Sequence, residues 1–170
     1  MMKPQNQYLI FTIDGQRYAI ALSFVGKVIR AVELISLPEA PEFLLGLMNM
    51  QGKIIPVINI RKRFHLPLHK IRLNDRIIIC RASGKTIAFM ADTVLGVVEF
   101  PQEQIDKARQ IFPEMEYYIE GVGKLDDTTV LIYDLEKLFS LQDINRLNQA
   151  TKAPQPATSN QQRATSNPAQ

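Results

Sequence analysis

The chain has no tryptophan, one cysteine (Cys80) and two histidines among its 170 residues. A single thiol forms neither an internal disulfide nor a thiolate metal cluster, and Cys80 sits in an apolar run that suits packing better than nucleophilic attack. The histidines fall in "HLPLH" at 65–69, where Pro67 breaks the helix that would aim both rings at one metal. No apolar run approaches the ~20 residues of a spanning helix. Lys3 is the only early charge and a proline follows it, so a signal peptide is not expected and a soluble cytoplasmic protein is. Catalytic patterns are missing too. "SGK" at 83–85 lacks the preceding glycines of a phosphate loop, Asp126-Asp127 reads as a turn, and Ser23 and Ser83 have no histidine nearby in sequence. The expectation is a protein without catalytic activity, cofactor or metal.

Charge is present in blocks. Residues 1–52 carry four basic and four acidic side chains, 53–85 carry nine basic against Asp75 alone, and 86–145 carry four basic against twelve acidic. Such blocks steer encounters with partners rather than fix a fold. Residues 151–170 have no Val, Ile, Leu, Met or aromatic side chain, so nothing there offsets the entropy of ordering and a disordered tail is expected.

The chain also repeats itself. "LIFTIDGQRYAIALSFVGKVI" from Leu9 lies over "IICRASGKTIAFMADTVLGVV" from Ile78 at an offset of 69. "FLLGLMNMQGKIIPVINIRKRF" from Phe43 lies over "YIEGVGKLDDTTVLIYDLEKLF" from Tyr118 at an offset of 75. Asp14-Gly15 meets Ser83-Gly84, Gly46 meets Gly121, and Phe64 meets Phe139. In each copy an alternating strand reaches a two-residue turn and returns, as at 8–13 and 17–22, then 76–81 and 86–91. Further strands are expected near 28–35, 54–60, 94–100 and 129–133, with Pro56 confined to an edge or bulge. "PEFLLGL" reads as a short helix running from Pro41 to a cap at Gly46. Leu138, Leu141, Ile144 and Leu147 recur at helical spacing within an expected last helix at 135–149.

The fold class expected is therefore mainly β: two tandem small barrels, at about 8–68 and 76–140, with short helices and the last helix across a shared core. Residues 1–7 form a flexible start, 8–150 the domain. One reading of the basic block 53–85 is a small-barrel nucleic-acid-binding protein, but Phe64 is its only aromatic and the acidic block would repel phosphate.

"FTIDGQRYAIAL", "LPEAPEFLLGLMNMQGKIIPVINIRKRF" and "GVGKLDDTTVLIYDLEKLF" together resemble the CheW family of bacterial chemotaxis coupling proteins over about residues 7–145. The resemblance implies two five-stranded SH3-like barrels and an adaptor without enzymatic activity. It implies as partners the cytoplasmic hairpin tip of a chemoreceptor and the regulatory domain of a CheA-type histidine kinase, with the membrane reached only through receptors and no nucleic acid bound. Carried onto this sequence, the receptor-binding candidates are Val25, Gly46, Asn49 and Gln51, with Arg61 in support. The kinase contact falls on the second barrel, with no residues assigned. Where the family commonly reads Asn-Leu-Arg-Gly this chain has Asn49-Met50-Gln51-Gly52, and Lys27 stands near a frequently acidic place. These departures point to a diverged receptor or to an array with another output, such as pili or biofilm.

Overall fold

A computed structural model describes residues 6–111, 117–139, 145–146 and 149. Among these residues, eleven strands form two sheets. One has the order β3 (Val25–Arg30), β6 (Arg76–Ala82), β7 (Lys85–Ala91), β5 (Lys53–Ile58), β4 (Leu44–Met50). The other has the order β8 (Thr93–Glu99), β1 (Gln7–Ile13), β2 (Gln16–Ala21), β11 (Thr128–Tyr133), β10 (Ile119–Leu125), β9 (Asp106–Lys107). A bridge between Ile35 and Leu47 closes the first sheet on itself, and the pairing of β9 with β10 does the same in the second.

The strand orders correct the expected division into barrels. Each repeat does not close its own sheet. The hairpin β1–β2 from the first copy pairs with strands of the second, and the hairpin β6–β7 from the second pairs with strands of the first. Registers agree at both joins. Val25 faces Cys80 as Val94 faces Phe11, and Ile58 faces Phe89 as Tyr133 faces Ile20, at the offsets that align the repeats. The boundaries at 68 and 76 thus mark the repeat in sequence, not in space.

Four hairpin turns, at Asp14-Gly15, Gln51-Gly52, Ser83-Gly84 and Asp126-Asp127, have positive φ at both central residues. That conformation matches the right-handed twist of the flanking strands. Pro56 pairs only with Leu47 of β4, because the ladder between β5 and β7 begins at Val57, so its missing N–H breaks no bond.

The "PEFLLGL" helix is also corrected. One turn closes through Leu44 N–H to the Pro41 carbonyl, and β4 begins at Leu44. Gly46 is a buried strand residue at a register shift, where an added Cβ would lie 2.9 Å from Leu34 Cβ and 3.0 Å from the Ile35 oxygen. Gly121 occupies the matching shift in β10, with Ile105 at 2.6 Å and the Asp106 oxygen at 2.8 Å. Both glycines allow the segment that closes each barrel to cross at close range.

Short helices among the described residues include α1 (Ile60–Arg63), α2 (Ala108–Ile111) and α3 (Leu135–Leu138). Asn59 caps α1 and Asp134 caps α3, again at equivalent places. The single last helix expected at 135–149 is corrected: α3 ends at Leu138, where Phe139 turns extended (φ −116°, ψ 91°), and residues 145, 146 and 149 are helical again. The residues between, the tail at 151–170 and residues 1–5 lie outside the described residues.

The core has three parts. Met48, Ile55, Val57, Ile77 and Ala88 fill the first barrel, and Tyr8, Ile10, Phe100, Val130 and Ile132 fill the second. Between them Phe11, Ile20, Ile58, Phe89, Leu135 and Phe139 form a shared core, with Phe11 and Phe89 rings 5.3 Å apart. Exchanged hairpins put both barrels into this layer, which favours their behaving as one body.

Candidate interaction surfaces and the joint between the barrels

Asn49 and Gln51 share the β4–β5 turn. The Asn49 side-chain oxygen accepts from the Gly52 N–H at 2.9 Å, and Gln51 is exposed at φ 54°. Gly46 lies further back on β4, beneath Leu34, and offers a partner no surface of its own. Val25 opens β3 and is half-buried against the shared core, with Lys27 exposed beyond a register shift. The described pairing of β3 is with β6, so no ladder joins Val25 to the turn holding Asn49 and Gln51. The first barrel thus presents Val25 and Lys27 on one strand, and Asn49 and Gln51 on one turn, as separate exposed or half-exposed features.

Arg61 is elsewhere. It is 8% exposed and directed at the other barrel. Its guanidinium donates to Asp14 at 2.8 Å, to Asp92 at 2.7 Å and to the Pro67 carbonyl at 3.1 Å. Burial alone would lower the Arg61 pKa, but the bonds and charges of Asp14 and Asp92 raise it. Asp92 shows the converse: burial favours its neutral form, yet the Asp14 N–H, Arg61 and His69 hold it below the ordinary carboxylate value. A group buried this way positions the protein's own parts rather than touching a partner.

Sequence reasoning did not single out Asp14, Asp92 or His69 as a group. Asp14 was legible only as a turn residue, and the signal that could have found the joint is the repeat itself. Glu136 occupies the place of Arg61 and Ser83 that of Asp14, at the same offsets. Glu136 accepts from the Ser83 hydroxyl at 3.0 Å and from its N–H at 3.3 Å. α1 and α3 therefore each grip the turn of a hairpin belonging to the opposite barrel, once with charge on both sides and once with charge on one. Asp14, His69 and Asp92 hold ligand atoms within 4.8 Å of one another, but the Arg61 guanidinium already bonds both carboxylates, so this set fits an ion-paired joint better than a metal.

Charge follows the barrels even after the exchange of hairpins. Residues 25–91, the first barrel, carry eleven basic against four acidic side chains; the described residues of the second, 7–24, 92–111 and 117–139, carry five against ten. The basic side is not built to bind bases. Phe64, its aromatic candidate, is stacked within the protein, 4.8 Å from Tyr18 and 4.4 Å from Tyr133 between ring centres. Single-strand binding needs free stacking platforms, and this ring is not one. A cleft of about 420 Å³ opens at the joint of the barrels, with Phe43 and Tyr118 at equivalent places on its two sides.

No helix among the described residues is long and apolar enough to cross a membrane. The geometry defines a class: a paired-barrel interaction module whose ionic groups lock one barrel to the other. Residues 7–143 match the CheW-like domain, and the chain belongs to that family. It is 26% identical over 148 residues to the chemotaxis protein CheW of Treponema pallidum, covering 84% of this chain and 87% of that one. Against the chemotaxis protein CheW of Helicobacter pylori it is 25% identical over 133 residues, covering 78% and 81%. The crystal structure of the scaffolding protein TtCheW from Thermoanaerobacter tengcongensis superposes with a TM-score of 0.71 at 29% identity, over 82% of this chain and 95% of that one.

Proposed function

We propose that this chain is a non-enzymatic adaptor of a chemosensory pathway, joining the cytoplasmic hairpin tip of a chemoreceptor to the regulatory domain of a CheA-type histidine kinase. The observation that carries the reading is the family match running unbroken through both barrels. Two barrels fixed by a shared core and by the Arg61 and Glu136 grips supply what an adaptor needs: two surfaces at a constant spacing. In this reading the protein works in the cytoplasm at receptor arrays and meets the membrane only through receptors.

The receptor side is the first barrel, with Val25, Asn49 and Gln51 as contacts. Gly46 acts by letting the closing segment pack beneath that surface, and Arg61 by holding the barrels in place. The kinase side is the second barrel. Separate titrations of a receptor hairpin fragment and a kinase regulatory fragment test the assignment. Val25→Glu should weaken the receptor fragment by about tenfold or more, as loss of a central apolar contact does, and leave the kinase fragment unaffected. Gln51→Arg should strengthen a receptor tip of the usual family type and make that binding more salt-dependent. Equal losses for both fragments would sink the assignment, and binding to neither would sink the adaptor reading.

A further inference from the structure

We propose that the cavity beneath residues 65–75, the segment linking the two repeats, is a binding site for a small, uncharged, apolar molecule of single-ring size. The cavity measures about 190 Å³. Its apolar wall is Leu45, Ile58 and Met90 from the first barrel and Leu68 and Ile71 from the linking segment. A closed apolar cavity of ~150 Å³ admits benzene; this space is larger and opens to solvent beside Leu68 and Ile71, and its volume suits one ring with a short substituent.

The polar groups at its margin determine the charge of the occupant. Arg61 is satisfied by Asp14, Asp92 and Pro67. His69 reaches the Lys70 carbonyl at 2.7 Å and Asp92 at 3.3 Å, and Asp75 accepts from the Arg72 N–H at 2.7 Å. The Asn59 side chain caps α1. Arg61 and His69 are thus engaged, which leaves no cation to neutralise a carboxylate, and any charged guest would have to give up its water against the apolar wall.

A second observation points the same way. A linker that only spans two repeats should be polar, yet Leu68 is 61% and Ile71 41% exposed beside the cavity. Their unburied surface is what a guest would cover. The chain's own tail is a poor occupant, since residues 151–170 contain no aliphatic side chain larger than alanine and proline. Because the linking segment also carries His69 to Asp92, an occupied cavity would hold that segment against the joint between the barrels. The site does not depend on the adaptor reading.

Toluene is the probe, with benzoate as its charged counterpart, and the full-length chain carries methyl-labelled isoleucine and methionine for NMR. Toluene should shift the Met90, Ile58 and Ile71 methyl signals saturably and raise the melting temperature, as any ligand that binds only the folded state must. Benzoate should do neither. Met90→Trp fills the space and should weaken toluene by roughly tenfold or more. If that variant misfolds, Leu68→Ala serves, because it opens an exposed wall and should weaken toluene without changing the melting temperature of the free protein. Absence of saturable shifts overturns the proposal. So do equal toluene affinities in wild type and variants, benzoate binding as tight as toluene, or shifts in these methyls on deleting residues 151–170, which would make the tail the occupant.

Discussion

Removing the Arg61 guanidinium tests how the barrels are joined. Its bond to Asp92 is short and lies where the carboxylate side chain is 22% exposed, so that arm should contribute ~1.5–2 kcal/mol. The arm to Asp14, 39% exposed, is screened by water and should contribute no more than ~1 kcal/mol. The Pro67 carbonyl adds a neutral-acceptor bond of ~1 kcal/mol. Arg61→Ala should therefore cost about 2.5–4 kcal/mol in urea unfolding, or roughly 5–16 °C in melting temperature for a domain this size. Asp92→Asn should cost more than Asp14→Asn, and the Arg61/Asp92 double-mutant cycle should show coupling of ~1–2 kcal/mol. The acid side supplies a second check. Asp92 is held below its ordinary 3.8, so its stabilisation is present above that value and is lost as pH falls through the lower folded value. The gap in stability between wild type and Asp92→Asn should accordingly close below about pH 3.8. A cost for Arg61→Ala under ~0.5 kcal/mol, or equal costs for the two aspartates, would refute the argument.

Other residues give sharper single tests. Asp127 sits at φ 62° in a turn whose counterpart holds Gly52, so Asp127→Gly should stabilise the protein by ~0.5–1 kcal/mol in thermal unfolding. Gly121→Ala should cost more than Gly46→Ala, because its new Cβ would lie 2.6 Å from Ile105 and 2.8 Å from the Asp106 oxygen, against 2.9 Å from Leu34 and 3.0 Å from the Ile35 oxygen at Gly46; both should fall at ~1–3 kcal/mol or above. Burial pushes the Cys80 thiol up to about 12, so it should resist alkylation at pH 8 in the folded protein and react once urea unfolds the chain.

The sequence determined the elements whose causes are local. Alternating residues and two-residue turns marked both hairpins, and the structure shows them at Gln7–Ala21 and Arg76–Ala91. The repeat, with its offsets of 69 and 75, correctly equated Gly15 with Gly84 and Gly46 with Gly121, since the same positive φ or the same close approach recurs at each. What the sequence missed were β4 and β10. Each is interrupted by glycine, which lowers strand propensity, and the reason for the glycine is another segment crossing above it. That reason exists only once the barrel has closed.

The pairing of hairpins was likewise a decision of the tertiary structure. Because the two hairpins are copies, each carries an edge and a register that fit the remaining strands of either repeat, and no local pattern distinguishes its own half from the other. The exchanged arrangement gives β5 a parallel partner in β7 and β11 one in β2, and puts Phe11 and Phe89 into one shared core. It also brings Arg61 from the first barrel to Asp14 and Asp92 on the second, residues 47 and 31 positions away. An arginine in "RKRF" reads as part of a basic surface because sequence records its charge and not its burial. Only the fold shows that this one lies inside, binding one barrel to the other.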